Sequence, residues 1–101
     1  MRSKIQLDQM RMTEFCRRHH IRKLALFGSV LRDDFRPDSD VDVLVEFESG
    51  RVPGLIRLAG MEIELSEIMG RKADMRTPAE LSRYFRQRVI ESAEVRYDVA
   101  A

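Results

Sequence analysis

The stretch Pro37-Asp38-Ser39-Asp40-Val41-Asp42-Val43-Leu44-Val45-Glu46-Phe47 decides the fold. Val41, Val43, Val45 and Phe47 alternate with Asp42, Leu44 and Glu46, the period-two pattern of a strand with one apolar face turned to a core. By the same alternation Asp40 and Asp42 project to one side, with Cα atoms roughly 6.5 to 7 Å apart from the rise of an extended chain. One cation can bridge such a pair. A strand anchored through its valines also holds carboxylates more firmly than a loop would. Taken alone, however, an Asp-x-Asp at the start of a strand reads more simply as solvent-facing polarity.

Upstream, Leu24-Ala25-Leu26-Phe27 is a short apolar run ending in Gly28-Ser29, which suits a buried strand entering a tight turn. Glycine there lets backbone approach a phosphate closely, and the serine hydroxyl with nearby N–H groups at a helix start can bond phosphate oxygens. On its own the pair is an ordinary turn with an N-cap serine. Residues Ser3 to His19 are good helix formers, with Ile5, Met12 and Cys16 able to share a stripe. Downstream, Leu55 to Met69 sets Leu55, Leu58, Met61, Leu65, Ile68 and Met69 near one helical face, and Gly70 follows as the C′ residue. Lys72 to Arg76 forms a further strand. Thr77-Pro78-Ala79-Glu80 then reads as N-cap, N1 proline and N3 glutamate of a last helix. That helix runs to about Ala93 with Leu81, Phe85 and Val89 inward, and Val95 to Val99 is either a short closing strand or a loose tail. The expectation is an α/β (α+β) fold in the order α-β-α-β-α-β-α, a small mixed β-sheet with flanking helices.

A chain of 101 residues is one domain's worth, 1–101, and the breaks at Pro37, Gly50 to Gly54, Gly70 and Pro78 are turns inside it. With 44% hydrophobic and 35% charged residues it is globular, although its core is small enough to favour stabilisation by a partner or by self-association. A net charge of +1 argues against strong nucleic-acid binding. The charge is unevenly spread: residues 37 to 74 carry nine acidic and four basic side chains, residues 1 to 36 four acidic and nine basic. An acidic middle suits a divalent-cation site, and equally a solvated face. Cys16 is single, so no internal disulfide framework exists, and its neighbours suggest a buried thiol. No apolar run nears the roughly 20 residues of a membrane span, and no signal-peptide pattern opens the chain, so the cytoplasm is expected.

Taken together, Gly28-Ser29, ten residues, and Asp40-Val41-Asp42 resemble the GSx10DxD signature of the DNA polymerase beta-like nucleotidyltransferase superfamily. The run from Pro37 to Phe47 looks like the aspartate strand of its short bacterial members, and Arg71-Lys72-Ala73-Asp74-Met75 matches their later strand, which supplies a third carboxylate. The resemblance implies that Asp40, Asp42 and Asp74 are catalytic metal ligands, with Asp74 also helping to activate the acceptor hydroxyl. Gly28 and Ser29 would hold the triphosphate of ATP. Arg32 stands where short members carry arginine, and is either a phosphate contact, an exposed helix arginine or part of a structural ion pair. Hard oxygen ligands with positions left for water and phosphate suit Mg2+, with Mn2+ a reasonable substitute. Asp33-Asp34 depart from the pattern, which usually has glycine after the arginine: pointing inward they would repel triphosphate, pointing to solvent they leave the site intact, and the second is expected because acidic residues are favourable in an early helix turn.

The small size is similar to the minimal nucleotidyltransferase (MNT-domain) group, which lacks the accessory substrate domain of larger relatives. That resemblance implies an antitoxin that transfers AMP from ATP to a hydroxyl, that of a tyrosine, on a HEPN-domain toxin. Two alternatives stay open: a binding module with a vestigial site that neutralises its partner by occlusion, and a transferase acting on a small molecule or an RNA end. Among other residues, His19-His20 read as a helix C-terminal cap, and Tyr84 and Tyr97 as packing residues. Arg83, Arg86 and Arg88 form either a partner-facing patch or the wet side of the last helix.

Overall fold

The computed structural model describes residues 7–31, 36 and 39–100. Ile5, Arg32, Asp33 and Asp34 lie outside them. The first helix, α1 (Gln9–Arg18), starts where the Asp8 carboxylate accepts the Met10 and Arg11 N–H groups at 3.1 and 3.2 Å. It buries Met12, Phe15 and Cys16, the one-face spacing of an amphipathic helix. Burial pushes the Cys16 thiol up to about 12, so it is a core group and no nucleophile. Arg17 and Arg18 sit in the last turn, favourable to the helix dipole. His19 caps the end as expected, and His20 takes a left-handed conformation, φ 56°, that turns the chain into the sheet.

Strands β1 (Ile21–Phe27), β2 (Val41–Phe47), β3 (Ala73–Arg76) and β4 (Glu94–Asp98) form one mixed sheet in the order β3-β2-β1-β4. β1 is antiparallel to both neighbours, and β2 runs parallel to β3. The parallel pair needs a crossover, which is α2 (Leu55–Met69), ended by Gly70 at φ 68°. Met61, Leu65 and Met69 of α2 join Met12, Phe15 and Cys16 of α1 over Val41, Val43, Val45, Leu24 and Leu26 in one buried cluster. This is the core, and it lies on one face of the sheet. The other face is covered in part by α3 (Arg86–Ser92): Ile90 and Ala93 come over Ala25 and Leu44.

Several expectations need correction. Leu44, assigned to the polar face, is buried, because α3 roofs that side. Leu55 is exposed although it was placed on the inner face of α2. After β1 the described residues form a 3-10 turn, Gly28–Leu31, with Val30 and Leu31 buried, and residues 32–35 of the expected helix lie outside the described residues. The capping box at Thr77 and Glu80 forms as read, yet the helix it opens stops after Pro78–Glu80. Leu81 turns extended to bury its side chain, and Arg86 donates to the carbonyls of Ala79 and Leu81 at 3.4 and 2.9 Å. The helix resumes only at Arg86, leaving Tyr84 and Phe85 exposed rather than packed. Arg86 is therefore a structural clamp, while Arg83 and Arg88 remain on the surface. The segment after Ala93 is a strand, the closing one of the two readings left open.

Candidate active site

The edge of the sheet where β1 ends and β2 begins gathers the sequence-predicted residues. Phe27, the last residue of β1, pairs with Asp42. Gly28 follows at φ 77°, and a Cβ there would clash with Asp42 Oδ2. Only glycine can place the turn against this carboxylate, both for its backbone angle and for the space. Asp42 pairs in register with Asp74 of β3, and neighbouring strands lie about 4.8 Å apart, so the two carboxylates stand side by side on one face. That face is the one opposite Val41, Val43 and Val45, away from α1 and α2. Asp40 is exposed, one residue before β2, and the Val41 N–H bonds Lys72 O at 2.9 Å, which ties the start of β2 to the approach to β3. Ser29, half-buried, continues the turn from Gly28.

Residues not singled out from sequence hold β3 in place. Glu62 Oε2 accepts the Met75 N–H at 2.7 Å, and Ser66 Oγ accepts the Ala73 N–H at 2.8 Å while donating to Glu62 O at 2.7 Å. Asp74 thus lies between two backbone positions fastened to α2. Their signal was faint: Glu62 and Ser66 are four apart, on the helix side that meets β3, but both look like ordinary surface residues. Arg76 was also missed, although it follows Asp74 by two on the same strand and so shares its face. Its guanidinium meets Asp74 Oδ2 at 3.3 Å.

The donor chemistry fits a divalent ion, since carboxylate oxygens are the ligands that hard cations take. As the side chains stand, no three His, Cys, Asp or Glu among the described residues converge closely enough to hold one. Arg76 engages one of the candidate ligands, Asp74. Both partners are partly exposed, and such pairs are worth about 0 to 1 kcal/mol, so a cation binding two or three carboxylates can displace the guanidinium.

The sequence pattern of the nucleotidyltransferase domain matches residues 10–97, from within α1 to β4. The chain belongs to the nucleotidyltransferase domain family. A solved structure provisionally identified as a minimal nucleotidyltransferase is 33% identical, with a TM-score of 0.68 over 84% of this chain and 85% of that one. Protein adenylyltransferase MntA of Thermococcus cleftensis is 36% identical over 61% of this chain and 61% of its own length. A toxin–antitoxin complex with AMP-PNP has a TM-score of 0.72 over 92% of this chain and 75% of that chain; at 17% identity this likeness concerns the fold alone. The nucleotidyltransferase fold expected from sequence is therefore the one present, and the chain is an enzyme of the nucleotidyltransferase type. Among the described residues no helix is long and apolar enough to cross a membrane.

Proposed function

We propose that this nucleotidyltransferase is a protein adenylyltransferase, the antitoxin of a toxin–antitoxin pair, which moves AMP from ATP to a tyrosine hydroxyl of a HEPN-domain toxin. The observation that carries the reading is the pairing of Asp42 with Asp74 directly beside the glycine turn at Gly28. The relative named protein adenylyltransferase and the fold likeness to a toxin–antitoxin complex holding AMP-PNP support it.

In this reading Asp40, Asp42 and Asp74 hold Mg2+, or Mn2+, and Gly28 and Ser29 hold the triphosphate. The bound ion neutralises phosphate charge and aligns the reacting oxygens. The residues do the rest. Gly28 presents backbone to the phosphates, Ser29 offers a hydroxyl, and Asp74 accepts the proton of the incoming hydroxyl. The acceptor oxygen bonds the α-phosphorus as the α–β phosphoanhydride breaks, and pyrophosphate leaves. Arg32 belongs to the same proposal as a phosphate contact.

A second reading, neutralisation by occlusion without turnover, is favoured by one observation: Arg76 holds Asp74 and the carboxylates do not converge as they stand. The two readings separate in one experiment. The chain and its co-purified partner are incubated with ATP and Mg2+, and the partner is mapped by mass spectrometry for an AMP adduct on tyrosine. The enzymatic reading expects the adduct, and a loss on the order of 10² to 10³-fold in Asp42→Asn or Asp74→Asn, the scale on which charge-stabilising groups act. Labelling that persists in the double variant defeats the assignment of these residues. Neutralisation without any adduct, unchanged by the double variant, establishes occlusion.

A further inference from the structure

Helix α2 is apolar on two opposite sides. Met61, Leu65 and Met69 face the core. At about 100° per residue, Ile56, Ala59, Gly60 and Ile63 fall on the side diametrically away from them. Ile56 is 92% exposed and Ile63 64%, and Val52 and Leu55 extend the patch at 72% and 85%. Single exposed apolar residues are normal on a surface, but a contiguous group on one helical face marks an association surface.

The order of residues on this face points to its occupant. Ile56 and Ile63 are equally far from the midpoint between Ala59 and Gly60. A twofold axis through that midpoint sets Ile56 of each copy against Ile63 of the other, and puts the two smallest side chains where the backbones come closest. Self-complementarity of this kind is what an interface between identical copies requires. Charge follows the same symmetry. Arg51 and Arg57 flank the N-terminal end of α2, Glu64 and Glu67 the C-terminal end, and the last turn holds no basic residue. Antiparallel pairing brings each cationic end to the anionic end of the second copy, with Arg51 opposite Glu67. Among the described residues the side chains of Arg51, Arg57 and Glu67 make no hydrogen bond or ion pair, so they are available for it. Beside Ile63 an open, mostly apolar groove of about 510 Å³ between α2 and the start of β3, lined by Ala59, Ser66 and Ala73 among others, has room for an incoming Ile56.

We propose that the outer face of α2 is a twofold self-association surface, pairing antiparallel with α2 of a second copy of this chain. The inference is independent of the catalytic reading. Because α2 and the Asp42–Asp74 pair lie on opposite faces of the sheet, the dimer leaves the carboxylates open to substrate.

Sedimentation equilibrium of the full chain over micromolar to millimolar concentration is the direct test, and a concentration-dependent dimer is expected. Ile56→Arg and Ile63→Arg should each raise the dimer dissociation constant at least about tenfold, with unchanged circular dichroism because neither side chain is in the core. Arg51→Glu should weaken the dimer, and Arg51→Glu combined with Glu67→Arg should restore it. Ala59→Cys, placed next to the axis, should give a disulfide-linked dimer under mild oxidation, Cys16 being buried. A wild-type chain that stays monomeric throughout overturns the proposal, as does a dimer indifferent to Ile56→Arg or one in which Ala59→Cys fails to cross-link. A monomer whose Ile56→Arg variant loses only a toxin partner gives the face to that partner and overturns self-association equally.

Discussion

Gly28 carries two constraints at once, a left-handed backbone and a carboxylate where a side chain would go. An alanine there costs about 1 to 2 kcal/mol for the backbone alone, and its methyl group pushes Asp42 away from Asp74. Gly28→Ala should therefore lower stability by that amount in urea titration and lower transferase activity by about 10²-fold, the effect of misplacing a reacting group by about an ångström. A variant that loses stability yet keeps full activity would detach the turn from the chemistry. Arg76 acts in the opposite sense. Because it occupies one oxygen of Asp74, Arg76→Met should tighten Mn2+ binding about two- to fivefold, the worth of an exposed ion pair, measurable by electron paramagnetic resonance without turnover. Weaker binding in that variant would mean the arginine organises the carboxylates rather than competing for them.

At the level of elements, the parts whose sequence pattern and burial agree were legible. β2 buries Val41, Val43 and Val45, and α2 spans Leu55–Met69 with Gly70 left-handed, both as read. The strand from Lys72 to Arg76 was legible in the residues and the role of Asp74 on it came by resemblance, and the sheet order then sets it beside Asp42. The last helix was misread because local signals compete with burial there: Thr77, Pro78 and Glu80 favour a helix start, but Leu81 can reach the core only if the chain turns extended. Period alone could not separate the two apolar faces of α2 either, since Ile56 and Leu55 look as apolar as Leu65 does. Leu65, fully buried, is the side to test for stability: Leu65→Ala should cost about 2 to 5 kcal/mol in chemical denaturation. A cost well under 1 kcal/mol would put the core elsewhere.

Across the whole molecule, α1 and α2 are fastened by a charge cluster as well as by the core. Glu64 of α2 takes an ion pair from Arg18 and a hydrogen bond from His19 Nε2 at 2.8 Å, and the His19 ring lies 4.8 Å from that of Phe15. Burial by itself would raise the Glu64 carboxyl, but the bonds from His19 and Arg18 outweigh it and hold it below the ordinary carboxylate value. A lowered folded-state value means stability that is fully present above the unfolded carboxyl range and is lost as pH falls through the folded value. The stability gap between wild type and Glu64→Gln should thus be complete at pH 7 and close as pH drops below about 4, followed by thermal melting. A gap that stayed constant to pH 2 would assign the contribution to packing.

The fastening of β3 bears on how the molecule can assemble. An outermost strand normally offers bare amides on which a foreign chain can continue the sheet. Here the Ala73 and Met75 amides are already taken by Ser66 and Glu62 of the crossing helix. This rim is closed to strand addition, so anything approaching from that side must be recognised through side chains, and the carboxylate next to those amides is kept from being pulled out of line by a sheet growing past it.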